Sequence, residues 1–272
     1  MTAFEPKERY ELPDLLQIMA LLRAPGGCPW DAAQTHESIR KNLIEETYEV
    51  IEAINKQSPE MLCEELGDLL MQVVFHAQMA QEQGQFDFGD VADGICKKLV
   101  ERHPHVFGSV HAETEDEALS SWDAVKRRTK GQATTASAME SVPRELPALM
   151  RATKIQKKAA DVGFDWDDAQ GAFDKVGEEC AELQAAVAEG DGAAVAEELG
   201  DLLFAVVNVS RFVHTDAEEA LTAASDKFLA RFTAVEQLAA ARGIEMKTAG
   251  IAALDALWEE VKAAQKQPPA AT

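Results

Sequence analysis

Between residues 66 and 77 the apolar positions fall at Leu66, Leu69, Leu70, Val73, Val74 and Ala77, a spacing of i, i+3, i+4, i+7, i+8 and i+11. At 3.6 residues per turn all six lie on one face of a helix. Leu199, Leu202, Leu203, Val206 and Val207 keep the same register further along. Strand-type alternation is nearly absent, and the good helix formers Ala, Leu, Glu and Gln are abundant. The pattern predicts an all-α protein.

The two apolar stripes follow nearly identical phrases, CEELGDLL at 63–70 and AEELGDLL at 196–203. Other phrases recur in the same order: GCPWDAAQ (27–34) with GFDWDDAQ (163–170), EETYE (45–49) with EECAE (178–182), KLVERH (98–103) with KFLARF (227–232), and SWDAVK (121–126) with LWEEVK (257–262). Their offsets are 136, 133, 129 and 136, and the acidic phrases above are offset by 133. Chance in a helical chain does not keep five pairs in register, so the chain reads as a duplicated helical unit. The expected division is a helical domain over 1–129, a linker over 130–146, a second helical domain over 147–265 and a frayed tail over 266–272. The linker reading rests on KGQATTASAMES (130–141), which is small, polar and poor in large apolar residues. Pro143 and Pro147 predict an extended entry, with a basic helix starting near Ala148.

Charge narrows the function. The chain has 272 residues, 48 of them acidic against 26 basic, for a formal charge of −22. No direct nucleic-acid groove is expected, because such a surface needs a Lys/Arg stripe to release counterions. Docking on an anionic membrane is disfavoured for the same reason. The four cysteines form no CxxC pair, the N-terminus has no apolar signal segment, and no apolar run approaches the ~18 residues that span a bilayer. A cytoplasmic protein with reduced thiols is expected.

The acids themselves are patterned. Glu46 and Glu49 are three apart, as are Glu65 and Asp68; the second copy repeats this with Glu179 and Glu182, then Glu198 and Asp201. Residues at i and i+3 share a helix face, so each helix offers a carboxylate pair. Glu49 to Glu65 and Glu182 to Glu198 are each 16 residues, with turns expected at NKQSPEM (55–61) and EGDGAA (189–194). A helical hairpin then faces one pair toward the other. Four carboxylates so placed repel, and no comparable basic cluster is interleaved in either hairpin. All-oxygen ligation suits Mg²⁺, with Mn²⁺ next. Di-iron bundles use Glu-x-x-His, whereas here the i+3 partner is always Asp or Glu. Gly67 and Gly200 interrupt good helix sequence at a cost of about 1 kcal/mol each relative to alanine. They predict close approach of another backbone or a ligand beside the last acid.

EExxE, a spacer and ExxD on helices resemble the signature of the all-α nucleoside triphosphate pyrophosphohydrolases, and of the MazG family in particular. The resemblance runs over nearly the whole chain through GCPWD, EETYEV, EELGDLL, RHPHVFG (102–108), PALMRATKIQKKAADVGFDW (147–166) and the second EExxE/ExxD set. It implies tandem helical-bundle domains, Mg²⁺-dependent hydrolysis of nucleoside triphosphates, including ATP and dNTPs, to monophosphate and pyrophosphate, and a homodimer. Carried over by motif, Glu179, Glu182, Glu198 and Asp201 would hold Mg²⁺, with Glu46, Glu49, Glu65 and Asp68 as the first copy's set. Glu178 would act on the attacking water. Lys175, Glu178, Glu197, Asp201, Lys227, Arg231 and Trp258 would contact the nucleotide, with Lys98, Arg102 and Trp122 as first-copy counterparts. The family often carries a basic residue just before ExxD; GAAVAEELGD has none. The first copy's carboxylates are intact, but the resemblance points to the second copy as the triphosphate site. A non-catalytic nucleotide or metal sensor, and a purely structural helical assembly, fit the same residue pattern. HPH (103–105) reads as a turn, because Pro104 breaks helical ligand spacing.

Overall fold

The computed structural model describes residues 4–115, 117–118, 121–122, 125 and 134–266. Among these there is no strand, and the chain divides into two compact units, Met1–Thr129 and Lys130–Thr272. The first unit carries α1 (Leu12–Arg23), α2 (Pro29–Ala33), α3 (Arg40–Asn55), α4 (Pro59–Glu82), α5 (Phe88–Arg102) and α6 (Pro104–Phe107). The second carries α7 (Thr135–Glu140), α8 (Ala148–Ala160), α9 (Ala169–Glu189), α10 (Gly192–Phe212), α11 (Ala217–Ala241) and α12 (Ile251–Lys266).

Each unit is built on one long hairpin, α3 with α4 and α9 with α10. Both expected turns are present. In the first, α3 ends at Asn55, Gln57 adopts φ 53° and the Ser58 hydroxyl accepts from the Met61 N–H to start α4. In the second, Gly190 closes α9 in the left-handed region at φ 75°, where glycine carries no Cβ penalty. The Asp191 carboxylate then accepts from the N–H groups of Ala193 and Ala194. α1 packs on α4 as α8 packs on α10. The first core gathers Met19, Ile39, Val74, Phe75 and Met79. A separate cluster, Val235, Ala239, Leu257 and Val261, joins α11 to α12.

The apolar stripe of α4 is not buried as a whole. Val74 and Ala77 face the core, while Leu66, Leu70 and Val73 stay exposed beside Ile44, Tyr48 and Ile51 of α3. The second copy repeats this: Val207 is buried, and Leu199, Leu203 and Val206 are exposed. Two differences from the sequence reading stand out. Part of the expected linker, Thr135–Glu140, is a helix capped by Thr134, with Ala138 and Val142 buried and α7 packed on α8. The helix predicted near Ala148 does begin there, after Pro147. A Cβ built at Gly67 or Gly200 meets nothing within 4 Å, so among the described residues no segment of its unit makes the close approach expected there. The linker residues 130–133, the tail residues 267–272 and half of the SWDAVK repeat (123, 124 and 126) lie outside the described residues.

Candidate active site

The hairpins bring the acids together in both copies. Oxygens of Glu46, Glu49 and Glu65 lie within 4.8 Å of one another, and so do oxygens of Glu179, Glu182 and Glu198. Asp68 and Asp201 fall outside those triplets but act on them electrostatically. Glu46 is pushed above its ordinary value by burial and then by the Asp68 and Glu49 charges. Glu65 is raised by lost hydration, then by Glu49, Glu64 and Asp68. Glu198 is raised by lost hydration, then by Glu182, Glu179 and Asp201. Side chains that resist ionisation for lack of a counter-charge are the donor set a hard divalent cation relieves. The residues present therefore fit Mg²⁺ by charge, donor chemistry and spacing.

The two copies relieve their repulsion differently. In the second, Lys175 stands one turn before Glu179 and pairs with both Glu178 Oε1 at 2.8 Å and Glu179 Oε1 at 2.5 Å. Both carboxylates raise the Lys175 ammonium well above its ordinary value. Glu179 is only 5% exposed, so this contact shields a buried charge. One lysine is no counterpart to four carboxylates, but it pairs with two of the second hairpin's acids, as its i, i+3 and i, i+4 spacing allows. In the first copy Asn42 takes that position, and Gln72 donates from Nε2 to Glu46 Oε1 at 3.4 Å. Gln72 is 4% exposed and its Oε1 has no partner. The equivalent residue in the second copy is Ala205.

The expected nucleotide contacts form a separate group. Arg231 lies over the Trp258 ring at 5.9 Å and donates to Gln265 Oε1, and Phe228 tilts against the same indole at 5.2 Å. Trp258 also packs on the α11–α12 core. Lys227 is exposed one turn before Arg231. The first copy repeats the pairing, with Arg102 over Trp122 at 5.1 Å and Lys98 exposed. Among the described residues no ion pair joins Lys227 or Arg231 to the four acids; α11 packs on α12 and on α8. Glu197 is exposed beside Glu198, and Glu178 is held by Lys175. His103 caps α5, and Pro104 and His105 open α6, so HPH is the junction of two helices rather than a turn.

The profile of the MazG nucleotide pyrophosphohydrolase domain matches residues 34–107 and again 170–235, the two carboxylate hairpins and the helix after each. The chain belongs to the MazG family. It is 49% identical over 255 residues to the nucleoside triphosphate pyrophosphohydrolase of Escherichia coli K12, covering 93% of this chain and 97% of that one. It is 45% identical over 249 residues to the nucleoside triphosphate pyrophosphohydrolase/pyrophosphatase MazG of Thermotoga maritima, covering 92% and 94%. Both MazG matches span EExxE and ExxD, so the repeat read from the sequence is a tandem of one domain type. No helix among the described residues is long and apolar enough to cross a membrane.

Proposed function

We propose that this protein hydrolyses nucleoside triphosphates, ATP and dNTPs among them, to nucleoside monophosphate and pyrophosphate with Mg²⁺, as a cytoplasmic homodimer serving nucleotide-pool housekeeping. The observation that carries the reading is the clustering of Glu179, Glu182 and Glu198 within 4.8 Å, with Asp201 acting on Glu198 from the same helix. Relatives named for this reaction over nearly their whole length support it.

Glu179, Glu182, Glu198 and Asp201 would hold Mg²⁺, or Mn²⁺ in its place. Bound there, the ion neutralises triphosphate oxygens and the charge that builds on them in the transition state. Glu178, next to the ligand set and exposed, accepts the proton of the attacking water. Lys175 holds Glu178 and Glu179 in place before substrate arrives. Lys227 and Arg231, four apart on one helix face, hold the distal phosphates, Arg231 by a bidentate contact. The indole beneath Arg231 limits its rotamers. Pyrophosphate so held is the leaving group, and the α–β linkage faces the water. The exposed Leu66, Leu70 and Val73 and their counterparts Leu199, Leu203 and Val206 supply the dimer surface. Chromatography of products from ATP and Mg²⁺ tests the reading: AMP and pyrophosphate in equal amounts are expected, and ADP with orthophosphate overturns it.

A further inference from the structure

Helix α3 starts without a side-chain cap. Its N-cap is Ile39, an apolar residue that is 2% exposed and offers no acceptor to the first N–H groups of the helix. The turn before it is tied to itself: Thr35 and Ser38 exchange backbone-to-hydroxyl bonds of 2.9 and 3.2 Å, and the Ile39 N–H reaches the Thr35 carbonyl at 3.3 Å. His36 carries the contact from this turn to α4, with its Nδ1 2.8 Å from His76 Nδ1. The two rings are within 8° of parallel, and their centroids are 5.1 Å apart. With 2.8 Å between the facing nitrogens, the two ring radii take up the rest of that distance. The imidazoles therefore lie edge to edge in nearly one plane, the arrangement of a straight N–H···N hydrogen bond.

One Nδ1 donates and the other accepts, so the bond needs at least one neutral ring. A first added proton is accommodated: it goes to the donating ring, and the bond becomes charge-assisted. A second removes the acceptor and sets two cations against each other. His76 is the ring that resists this second proton. It is half-buried on α4, and its Nε2 is buried without a partner. Burial, and then the His36 charge, push it below the ordinary imidazole value. Among the described residues no charge on α1, α3 or α5, the helices packed on α4, acts on it. On α1 Asp14 pairs with Lys7 and Arg23 with Glu82; on α5 Lys97 pairs with Asp93; on α3 Glu46 accepts from Gln72. Beside His36, Glu37 is held low by its own N–H and by Thr35, with the His36 and Arg40 charges adding to this.

The second copy starts the equivalent helix differently. Asp168 caps α9, accepting from the N–H groups of Gln170 and Gly171. Ala169 and Val209 stand 133 residues beyond His36 and His76, so no imidazole pair is available there. We propose that His36 and His76 form an acid-released clasp, which stands in for the missing cap, holds the entry of α3 on α4 in the first copy alone, and lets go when the pair takes up its second proton. α3 carries Glu46 and Glu49, so release loosens the first carboxylate hairpin and leaves the second intact. The sign follows from the lowered His76 value. The clasp contributes fully above the ordinary imidazole value of 6.5, and its contribution is lost as pH falls through the lower folded-state value.

Hydrogen exchange of the full-length protein at about pH 7.5 and about pH 5 tests it, read by mass spectrometry and corrected for the intrinsic rate. Protection over residues 35–46 is expected to fall at least about 10-fold at the lower pH, and protection over 168–179 to stay within about 2-fold. His36→Asn puts a carboxamide in the place of Nδ1. It donates or, turned over, accepts, so it bonds His76 in either charge state. The fall in protection is expected to vanish in this variant. Equal protection at both pH values in the parent protein overturns the clasp. A fall that persists in His36→Asn belongs to the carboxylates of the hairpin and overturns it as well. If His36→Asn does not fold, the imidazole nitrogen resonances of His36 and His76 in the parent protein decide. Two separate titration steps with the lower one below 6.5 support the clasp, and one common step at 6.5 overturns it.

Discussion

At the residue scale the site is a problem of unrelieved charge. Glu46, Glu65 and Glu198 hold their protons above the ordinary value of 4.5. A carboxyl with a raised folded-state pKa favours folding below that ordinary value. Its contribution is lost as pH rises through the raised one. A cation bound to the ionised set reverses this loss. The rise in melting temperature on adding Mg²⁺ is therefore expected to be small near about pH 4 and to grow toward about pH 7. Differential scanning calorimetry checks it; a Mg²⁺ increment independent of pH removes the carboxylates as the binding site. Glu179→Gln preserves size and removes one ligand charge. It is expected to reduce ATP turnover at least about 100-fold, whereas Glu46→Gln leaves most of it. The opposite ranking in a steady-state assay reverses the assignment of the copies. The clustering of Glu46, Glu49 and Glu65, and of Glu179, Glu182 and Glu198, was legible because charge repeats at fixed spacing in a helix leave a trace in sequence. Gln72 was not, because a carboxamide has no characteristic spacing and its bond to Glu46 joins positions 26 apart.

At the scale of elements, the hairpins, their turns and the start of α8 could be read directly, since apolar period, proline and cap residues all act locally. α7 could not. Its buried residues are small, and its place depends on packing against α8 rather than on its own pattern. Trp258 shows the same limit: its contacts with Phe228 and the α11–α12 core cannot be told from a base-stacking role by residue type. The helical glycines are the clearest case. Nothing within 4 Å would obstruct a methyl group at Gly200. Gly200→Ala is expected to stabilise α10 by about 1 kcal/mol, measured by urea unfolding below the association range. It is also expected to weaken dimerisation, measured by sedimentation, because the small residue borders the exposed Leu199–Leu203 edge. Gain in stability with unchanged association would remove the glycine from the interface.

At the scale of the whole molecule, duplication has produced two copies with different local chemistry on one backbone plan. Lys175 neutralises part of the second site, while in the first Asn42 stands at that position and Gln72 donates to Glu46. What both copies keep is the uncovered apolar edge. One self-complementary edge per chain closes into a pair, but two per chain give it the valence of a polymer former. Such a chain stays finite when the pairings close on themselves; where one partner satisfies both edges, the second pairing is intramolecular. Leu70→Glu or Leu203→Glu alone is expected to leave a weakened dimer, and the two together a monomer, by light scattering at micromolar concentration. A monomeric parent protein would remove the edges as contacts altogether. Where the edges do pair, the tandem arrangement raises the local concentration of each edge for its mate, so the assembly survives dilution that would separate either pairing by itself.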